Sequence, residues 1–285
     1  MQVQKAVITA AAPNQNRLPL QQLVDRGGQE KTALQLIVEE TVAAGIEEIC
    51  VIIQPGDTDA YQAAAGIQLG NLHFVEQPQP LGYADAIYRA RSFLDSDPFL
   101  HLVGDHLYLS NTDQPCAKQL VQMACENQCS VSAVQSTRET NLPYFGIVSG
   151  SLVPRMEGLY EIERIVEKPT PTLAEQELVT PGLRAGHYLG FFGMHVFTAE
   201  IMDLIEQLLG KQNETRPTLS DAAAMLPTRS KYLAYRLHGT RYNLGIRYGL
   251  LKAQLAIGLS GADRDQILVE MIDLLANRSE VPESR

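Results

Sequence analysis

No stretch of this sequence approaches the roughly 18 to 20 apolar residues that a helix needs to cross a bilayer, so a membrane partner is not expected. Basic residues are also scarce: 23 Lys and Arg stand against 33 Asp and Glu, a formal charge of −10. Proteins that track a nucleic-acid backbone carry the opposite balance, so no nucleic-acid partner is expected either. A small phosphorylated ligand stays open, because local cations decide that rather than net charge. Cysteine is limited to four residues. Cys50 lies inside an apolar run, the usual place of an inert buried thiol. Cys125 and Cys129, with Cys116 a helix-length upstream, are spaced more loosely than the pairs of zinc sites, and no second pair follows. Met1 to Ala12 reads as a strand entering folded sequence rather than as an export leader. With so little cysteine, the expected location is the cytoplasm.

What is present is ordinary globular material. The 285 residues are 45% hydrophobic and 20% charged, enough for a large core. No repeat or low-complexity tract interrupts them, and the chain reads as one domain over residues 1–276 with a frayed tail over 277–285. In the first half, short apolar runs alternate with amphipathic stretches, the βαβ pattern of a mostly parallel sheet flanked by helices. Strands are expected at Val3 to Ala10, Ile49 to Ile53, Leu72 to Val75, Phe99 to Val103 and Ser130 to Ser136. Helices are expected at Thr32 to Ala44, Asp59 to Gly66, Tyr83 to Leu94 and Gln114 to Asn127. Gly45 stops the first of these helices.

The middle changes character. Tyr144 to Val148, Leu159 to Val166 and Gly186 to Val196 are strand-like without long helices between them, which implies a mixed extension of the sheet. Pro169 to Pro181 reads as a surface loop. The end is helical again, at Ala199 to Leu209, Leu219 to Leu226, Gly245 to Ile257 and Asp263 to Ala276. In a parallel sheet, ligands bind at the carboxyl ends of the strands. That rule selects Ala10 to Arg17, Gln54 to Asp57, Gln77 to Gly82 and Gly104 to His106 as one rim.

These rim segments belong to an ordered set. It contains Lys5-Ala6-Val7-Ile8, Ile37-Val38-Glu39-Glu40 leading to Ala44-Gly45-Ile46, Leu81-Gly82-Tyr83-Ala84-Asp85-Ala86, Pro98-Phe99 and Gly104-Asp105. It continues with Phe145-Gly146-Ile147-Val148, Ile165-Val166-Glu167-Lys168-Pro169, Leu219-Ser220-Asp221-Ala222 and Tyr242-Asn243-Leu244-Gly245. The set resembles the bacterial UTP–glucose-1-phosphate uridylyltransferases and their sugar-1-phosphate nucleotidyltransferase relatives. The resemblance implies a Rossmann-like α/β fold of the nucleotide-diphospho-sugar transferase type. It also implies an activity: a sugar 1-phosphate attacks the α-phosphorus of a nucleoside triphosphate in line, and pyrophosphate leaves.

Carried over residue by residue, the resemblance makes Asp105 the magnesium-binding aspartate, with Mg2+ as the implied cofactor. It brings Ala11, Gln77 and Gly82 beside the nucleotide. Glu167 would accept hydrogen bonds from sugar hydroxyls, Lys168 would meet the sugar phosphate, and Gly146 would let the backbone approach the sugar. His106 is an unusual neighbour for a hard cation, which prefers oxygen, and is a candidate to hydrogen-bond the ligand. The expected partners are a nucleoside triphosphate and a sugar 1-phosphate, or the nucleotide-sugar they form; a homo-oligomer is compatible with the sequence.

Three departures bear on catalysis. The family's glycine-rich first loop, whose N–H groups cradle triphosphate oxygens, is replaced by Ala12-Pro13-Asn14-Gln15-Asn16-Arg17, and Pro13 has no N–H to give. Arg17 is left as the candidate for the family's loop arginine. The lysine that follows in a Pro-Lys context is absent from Leu18-Pro19-Leu20-Gln21-Gln22-Leu23. The late aspartate that also holds magnesium in many relatives is Asn243. Each missing charge-stabilising group commonly costs about 10²–10³ in rate. Two readings therefore stand: a nucleotidyltransferase acting through Asp105, Arg17 and Lys168, or a non-catalytic binder of nucleotide-sugars or sugar phosphates. A glycosyltransferase would need a strand-end Asp-x-Asp motif, which Gly104-Asp105-His106-Leu107 does not supply.

Overall fold

The computed structural model describes residues 1–66, 71–210 and 216–277. Strand β1 (Lys5–Thr9) is followed by a small hairpin, β2 (Gln22–Val24) and β3 (Glu30–Thr32). Helix α1 (Ala33–Ala43) starts where the Thr32 hydroxyl accepts the Gln35 N–H, a standard N-cap. Then come β4 (Glu48–Ile53), α2 (Thr58–Ala64), β5 (Asn71–Glu76), α3 (Tyr83–Tyr88), α4 (Arg91–Leu94), β6 (Phe99–Val103), β7 (His106–Ser110), α5 (Cys116–Asn127) and β8 (Ser130–Arg138). The chain continues through β9 (Gly146–Leu152), β10 (Leu159–Glu167), α6 (Pro171–Glu177), β11 (His187–Phe197), α7 (Glu200–Leu209) and α8 (Leu219–Ala223). It ends with β12 (Tyr232–Arg236), β13 (Gly239–Asn243), α9 (Gly249–Gly258) and α10 (Arg264–Ala276).

Nine strands form one sheet in the order β5-β4-β1-β6-β11-β8-β12-β10-β9. β5, β4, β1 and β6 are parallel to one another, whereas β11, β10 and β9 bring in antiparallel pairings. Alternation along the strands builds a core on each face. From β1, Ala6 and Ile8 pack with Leu34, Ile37 and Leu120, while Val7 packs with Ile87, Ile201 and Ile205 on the other face. No helix among the described residues is long and apolar enough to cross a membrane. Helix α10 buries none of its residues, and Val269, Ile272, Leu274 and Leu275 stand exposed on it.

The chain runs outward from β1 to β4 and β5, then returns to place β6 on the other side of β1. The crevice beyond the carboxyl ends of β1 and β6 is therefore the topological switch point where such sheets bind ligands. Gly104 closes its floor: its N–H donates to Thr9 O at 2.8 Å, and a Cβ there would lie 2.9 Å from that oxygen.

The sequence-based boundaries hold for the long elements, with four corrections. The helix expected over Tyr83 to Leu94 is broken into α3 and α4. The loop expected over Pro169 to Pro181 contains α6, because Thr170 caps it and Pro171 takes a first-turn position where a missing N–H costs nothing. Helix α9 begins at Gly249 rather than Gly245, and α8 stops at Ala223 rather than Leu226. The short strands β2, β3, β7, β12 and β13 were not expected. Of the expected tail, residues 278–285 lie outside the described residues.

Candidate active site

Two cavities open over the carboxyl edge of the sheet. The first, of about 360 Å³, lies in the β1–β6 crevice and is lined by Thr9 to Pro13, Gln15, Pro19, Gln77, Pro80, Gly82, Tyr83, Ala86, Val103 to Asp105 and Arg216. The second, of about 270 Å³, includes Phe145, Gly146, Glu167, Lys168, Phe191, Ser220, His106, Arg241 and Asn243 in its wall. Tyr83 and Val103 belong to both walls, and Asp105 and His106, adjacent in the chain, face one cavity each. The structure thus gathers nine of the ten sequence candidates: Ala11, Gln77, Gly82 and Asp105 at the first cavity, His106, Gly146, Glu167, Lys168 and Asn243 at the second.

The tenth, Arg17, is exposed and lines neither cavity. The ionisable side chains of the first cavity other than Tyr83 are Asp105 and Arg216, and an Arg216 guanidinium nitrogen donates to Pro80 O. Pro13 and its neighbours form a turn in which Pro13 has no N–H to offer and Gln15 N donates to Ala12 O at 3.1 Å.

Gln77 is buried, and its amide nitrogen donates to Gly82 O at 3.1 Å and to the Asp85 carboxylate at 2.8 Å. Both partners are acceptors, so the NH2 end of the amide must point at them and the carbonyl oxygen is left for a ligand. Asp85 is itself held by Arg89 at 2.5 Å. Gly82 has φ 112°, a backbone that L side chains rarely adopt, and a Cβ there would press on Arg216 and Pro217 O at 3.3 Å.

Asp105 follows the end of β6, and its Oδ1 lies 2.7 Å from His106 Nδ1. Facing a carboxylate, that nitrogen carries the hydrogen. Burial pushes the Asp105 carboxyl up, but the hydrogen bond from His106, helped by the charge of Arg241, outweighs it, and the net shift is downward. Burial holds His106 below its ordinary pKa despite the opposing pull of Asp105. His106 therefore orients Asp105 as a neutral donor; the role expected for it toward a ligand falls to its other nitrogen alone. Asn243 stands across the β7–β13 ribbon from His106, and its Oδ1 accepts the Gly245 N–H at 2.7 Å.

On the other wall, Ser220 donates to Glu167 Oε2 at 2.5 Å, which fixes the carboxylate at the end of β10. Lys168 follows with φ 47° and its N–H bound to Phe145 O at 3.1 Å; its amine is exposed, 3.9 Å from Glu167. Gly146 has a reason that the sequence did not reveal. A Cβ there would sit 2.7 Å from both Phe191 and Ser220 Oγ and 2.9 Å from Glu167 Oε2, so the glycine makes room for the Ser220–Glu167 bond itself. Sequence reasoning missed Ser220, although its segment was quoted, and Arg241, for which no motif gave a signal.

Comparison with known proteins places this geometry among relatives. The family model described as "Nucleotidyl transferase" matches residues 18–244, beginning just after the altered first loop. The UTP–glucose-1-phosphate uridylyltransferase 1 of Streptococcus pyogenes serotype M3 is 28% identical over 90% of this chain and 89% of its own. Among solved structures, a UDP-glucose pyrophosphorylase complexed with UDP-glucose superposes with a TM-score of 0.74 at 21% identity, covering 90% of this chain and 98% of that one. The UTP-bound enzyme of Acinetobacter baumannii gives 0.73 at 24% identity over 95% and 99%. With about four-fifths of its length matched from Leu18 to Leu244, this chain belongs to the nucleotidyl transferase family.

Proposed function

We propose that the protein transfers a uridylyl group from UTP to glucose 1-phosphate, giving UDP-glucose and pyrophosphate. The observation that carries this reading is the pair of cavities meeting at Tyr83 and Val103, one in the switch-point crevice beside Asp105 and one walled by a fixed carboxylate and cations. The streptococcal relative bears that activity in its name. The free carbonyl oxygen of Gln77 suits the N3–H donor of uracil. Glu167, immobilised by Ser220, accepts from sugar hydroxyls. Lys168 meets the sugar phosphate at the rim. A phosphate oxygen of the sugar attacks the α-phosphorus, the new P–O bond forms as the bond to pyrophosphate breaks, and the walls hold the two reactants in line.

A divalent metal fits these residues in one way. Among the described residues no cluster of three or more His, Cys, Asp or Glu could hold an ion. Magnesium, however, usually takes one or two protein carboxylates and completes its shell with phosphate and water. Asp105 supplies one carboxylate, oriented by His106 through a single oxygen, and the Asn243 oxygen, which accepts the Gly245 N–H with one lone pair, would offer its second without a charge. A bound magnesium ion would neutralise charge on the phosphates.

A second reading, binding of a nucleotide-sugar without turnover, is favoured by a specific feature: no cation of the first loop lines the nucleotide cavity. Pyrophosphate release from UTP and glucose 1-phosphate separates the two. The proposal expects slow, magnesium-dependent release that Asp105→Asn abolishes. Absence of release, with UDP-glucose still raising the melting temperature, would establish the second reading.

A further inference from the structure

Strand alternation puts Arg241 and Asn243 on one face of the β7–β13 ribbon, opposite Tyr108 and His106 in register, and that face forms part of the second cavity. Arg241 is only 8% exposed. Its guanidinium carbon lies 3.9 Å from the centre of the Phe145 ring, and Nη1 donates to Phe191 O. Phe145 and Phe191 lie on the same cavity wall.

What Arg241 lacks is an anion. Among the described residues no carboxylate comes within ion-pair distance of it. Lys31, by comparison, sits between Asp25 and Glu39 at 2.9 and 2.8 Å. Burying a guanidinium is costly unless an opposite charge and further hydrogen bonds compensate. The ring and one carbonyl account for one face and one nitrogen of a group with five N–H donors. Asp105 contributes attraction, but its Oδ1 is already bonded to His106. Burial accordingly lowers the guanidinium pKa to about 10. A purely structural tie to Phe191 O would need only a neutral donor.

We infer that Arg241 is the buried receptor for the phosphate of the sugar 1-phosphate, held flat by Phe145 with its remaining donors turned to the second cavity. The identity of that phosphate rests on the proposed function; the anion site itself does not. Arg241 and Lys168 then divide the work. The stacked fork fixes the phosphate geometrically, as arginine does with bidentate oxyanions, and the exposed lysine adds charge at the rim. The cavity should therefore prefer phosphorylated sugars to free ones.

Calorimetry on the full chain with glucose 1-phosphate, inorganic phosphate and glucose tests this. Wild type should bind both phosphates and show no heat with glucose. Arg241→Met should lose at least tenfold in affinity for both phosphates, and Arg241→Lys, which keeps the charge without the fork, should lose less. Should the Met variant not fold, the wild-type Arg241 Nε–Hε resonance, assigned through Arg241→Lys, must move when inorganic phosphate is added. Unchanged phosphate affinity in a folded Met variant, a stationary resonance, or a wild type that binds neither phosphate would overturn the assignment. Arginine-dependent phosphate binding without pyrophosphate release would instead sink the proposed reaction and leave the anion site standing. UDP-glucose synthesis with an unaltered KM for glucose 1-phosphate in Arg241→Met would do the reverse.

Discussion

Lys168 combines an unfavourable backbone with an exposed charge. Its φ of 47° lies in the left-handed region, where a residue with a Cβ pays roughly 1–2 kcal/mol. Nothing in the turn after β10 needs a lysine for folding, since the bond to Phe145 O uses the backbone N–H. Two substitutions separate conformation from charge. Lys168→Gly should be about 1 kcal/mol more stable than Lys168→Ala in urea unfolding, because glycine takes this backbone freely. Both should weaken glucose 1-phosphate binding at least tenfold, or about 1.4 kcal/mol. Equal stability of the two would show that the backbone is not strained, and unchanged affinity would reduce Lys168 to a surface ion pair worth about 0–1 kcal/mol.

The ribbon of β7 and β13 carries four residues of the second cavity's surroundings, His106, Tyr108, Arg241 and Asn243, yet it was invisible in the sequence. Gly239-Thr240-Arg241-Tyr242-Asn243 is polar, short and starts with glycine, and it gains strand geometry only by pairing with β7. The same holds for β2, β3 and β12, whose three to five residues offer too little periodicity to read. The long runs of β1, β4, β6 and α1 were legible because burial dictates their pattern, and strand-end placement alone found the first rim. Asp105, Glu167 and Lys168 were legible through motif order, whereas Arg241 is an arginine in a polar segment until the fold buries it. Asn243 can be tested on this ribbon. An aspartate there retains an acceptor for the Gly245 N–H and brings a second negative charge across from the Asp105–His106 pair. Asn243→Asp should therefore lower the magnesium concentration needed for half-maximal pyrophosphate release several-fold. No change in magnesium dependence would remove Asn243 from the metal's surroundings.

At the scale of the whole molecule, the sheet is built around neutral imidazoles. His101 of β6 and His195 of β11 are register partners in its centre, with ring centroids 5.7 Å apart. His195 also shares a 2.6 Å hydrogen bond with Ser132 and stacks on Phe197, while His101 reaches Thr9 and Tyr83 at the cavity wall. Burial lowers the pKa of both, His195 to about 3, and His106 is lowered as well. As pH falls through about 6.5 the unfolded chain takes up protons at His101 and His195 and the folded chain does not, so stability is full well above that pH and falls as pH drops toward the folded values. Each histidine contributes a slope of up to about 1.4 kcal/mol per pH unit. His101 and His195 together approach about 2.7 kcal/mol per unit, with His106 adding in the same direction, against a total stability typically of about 5–15 kcal/mol. Depressed Asp105 does not offset this, because its own contribution begins to be lost only near and below about pH 3.8. Urea midpoints at pH 7.5, 6.5 and 5.5 should fall slightly over the first interval and roughly three times as far over the second. His195→Gln should reduce that drop by up to about one-half, as one of two strongly depressed histidines. A midpoint that stays constant down to pH 5.5 would mean that these histidines are protonated in the folded sheet, and would overturn the neutral-core description.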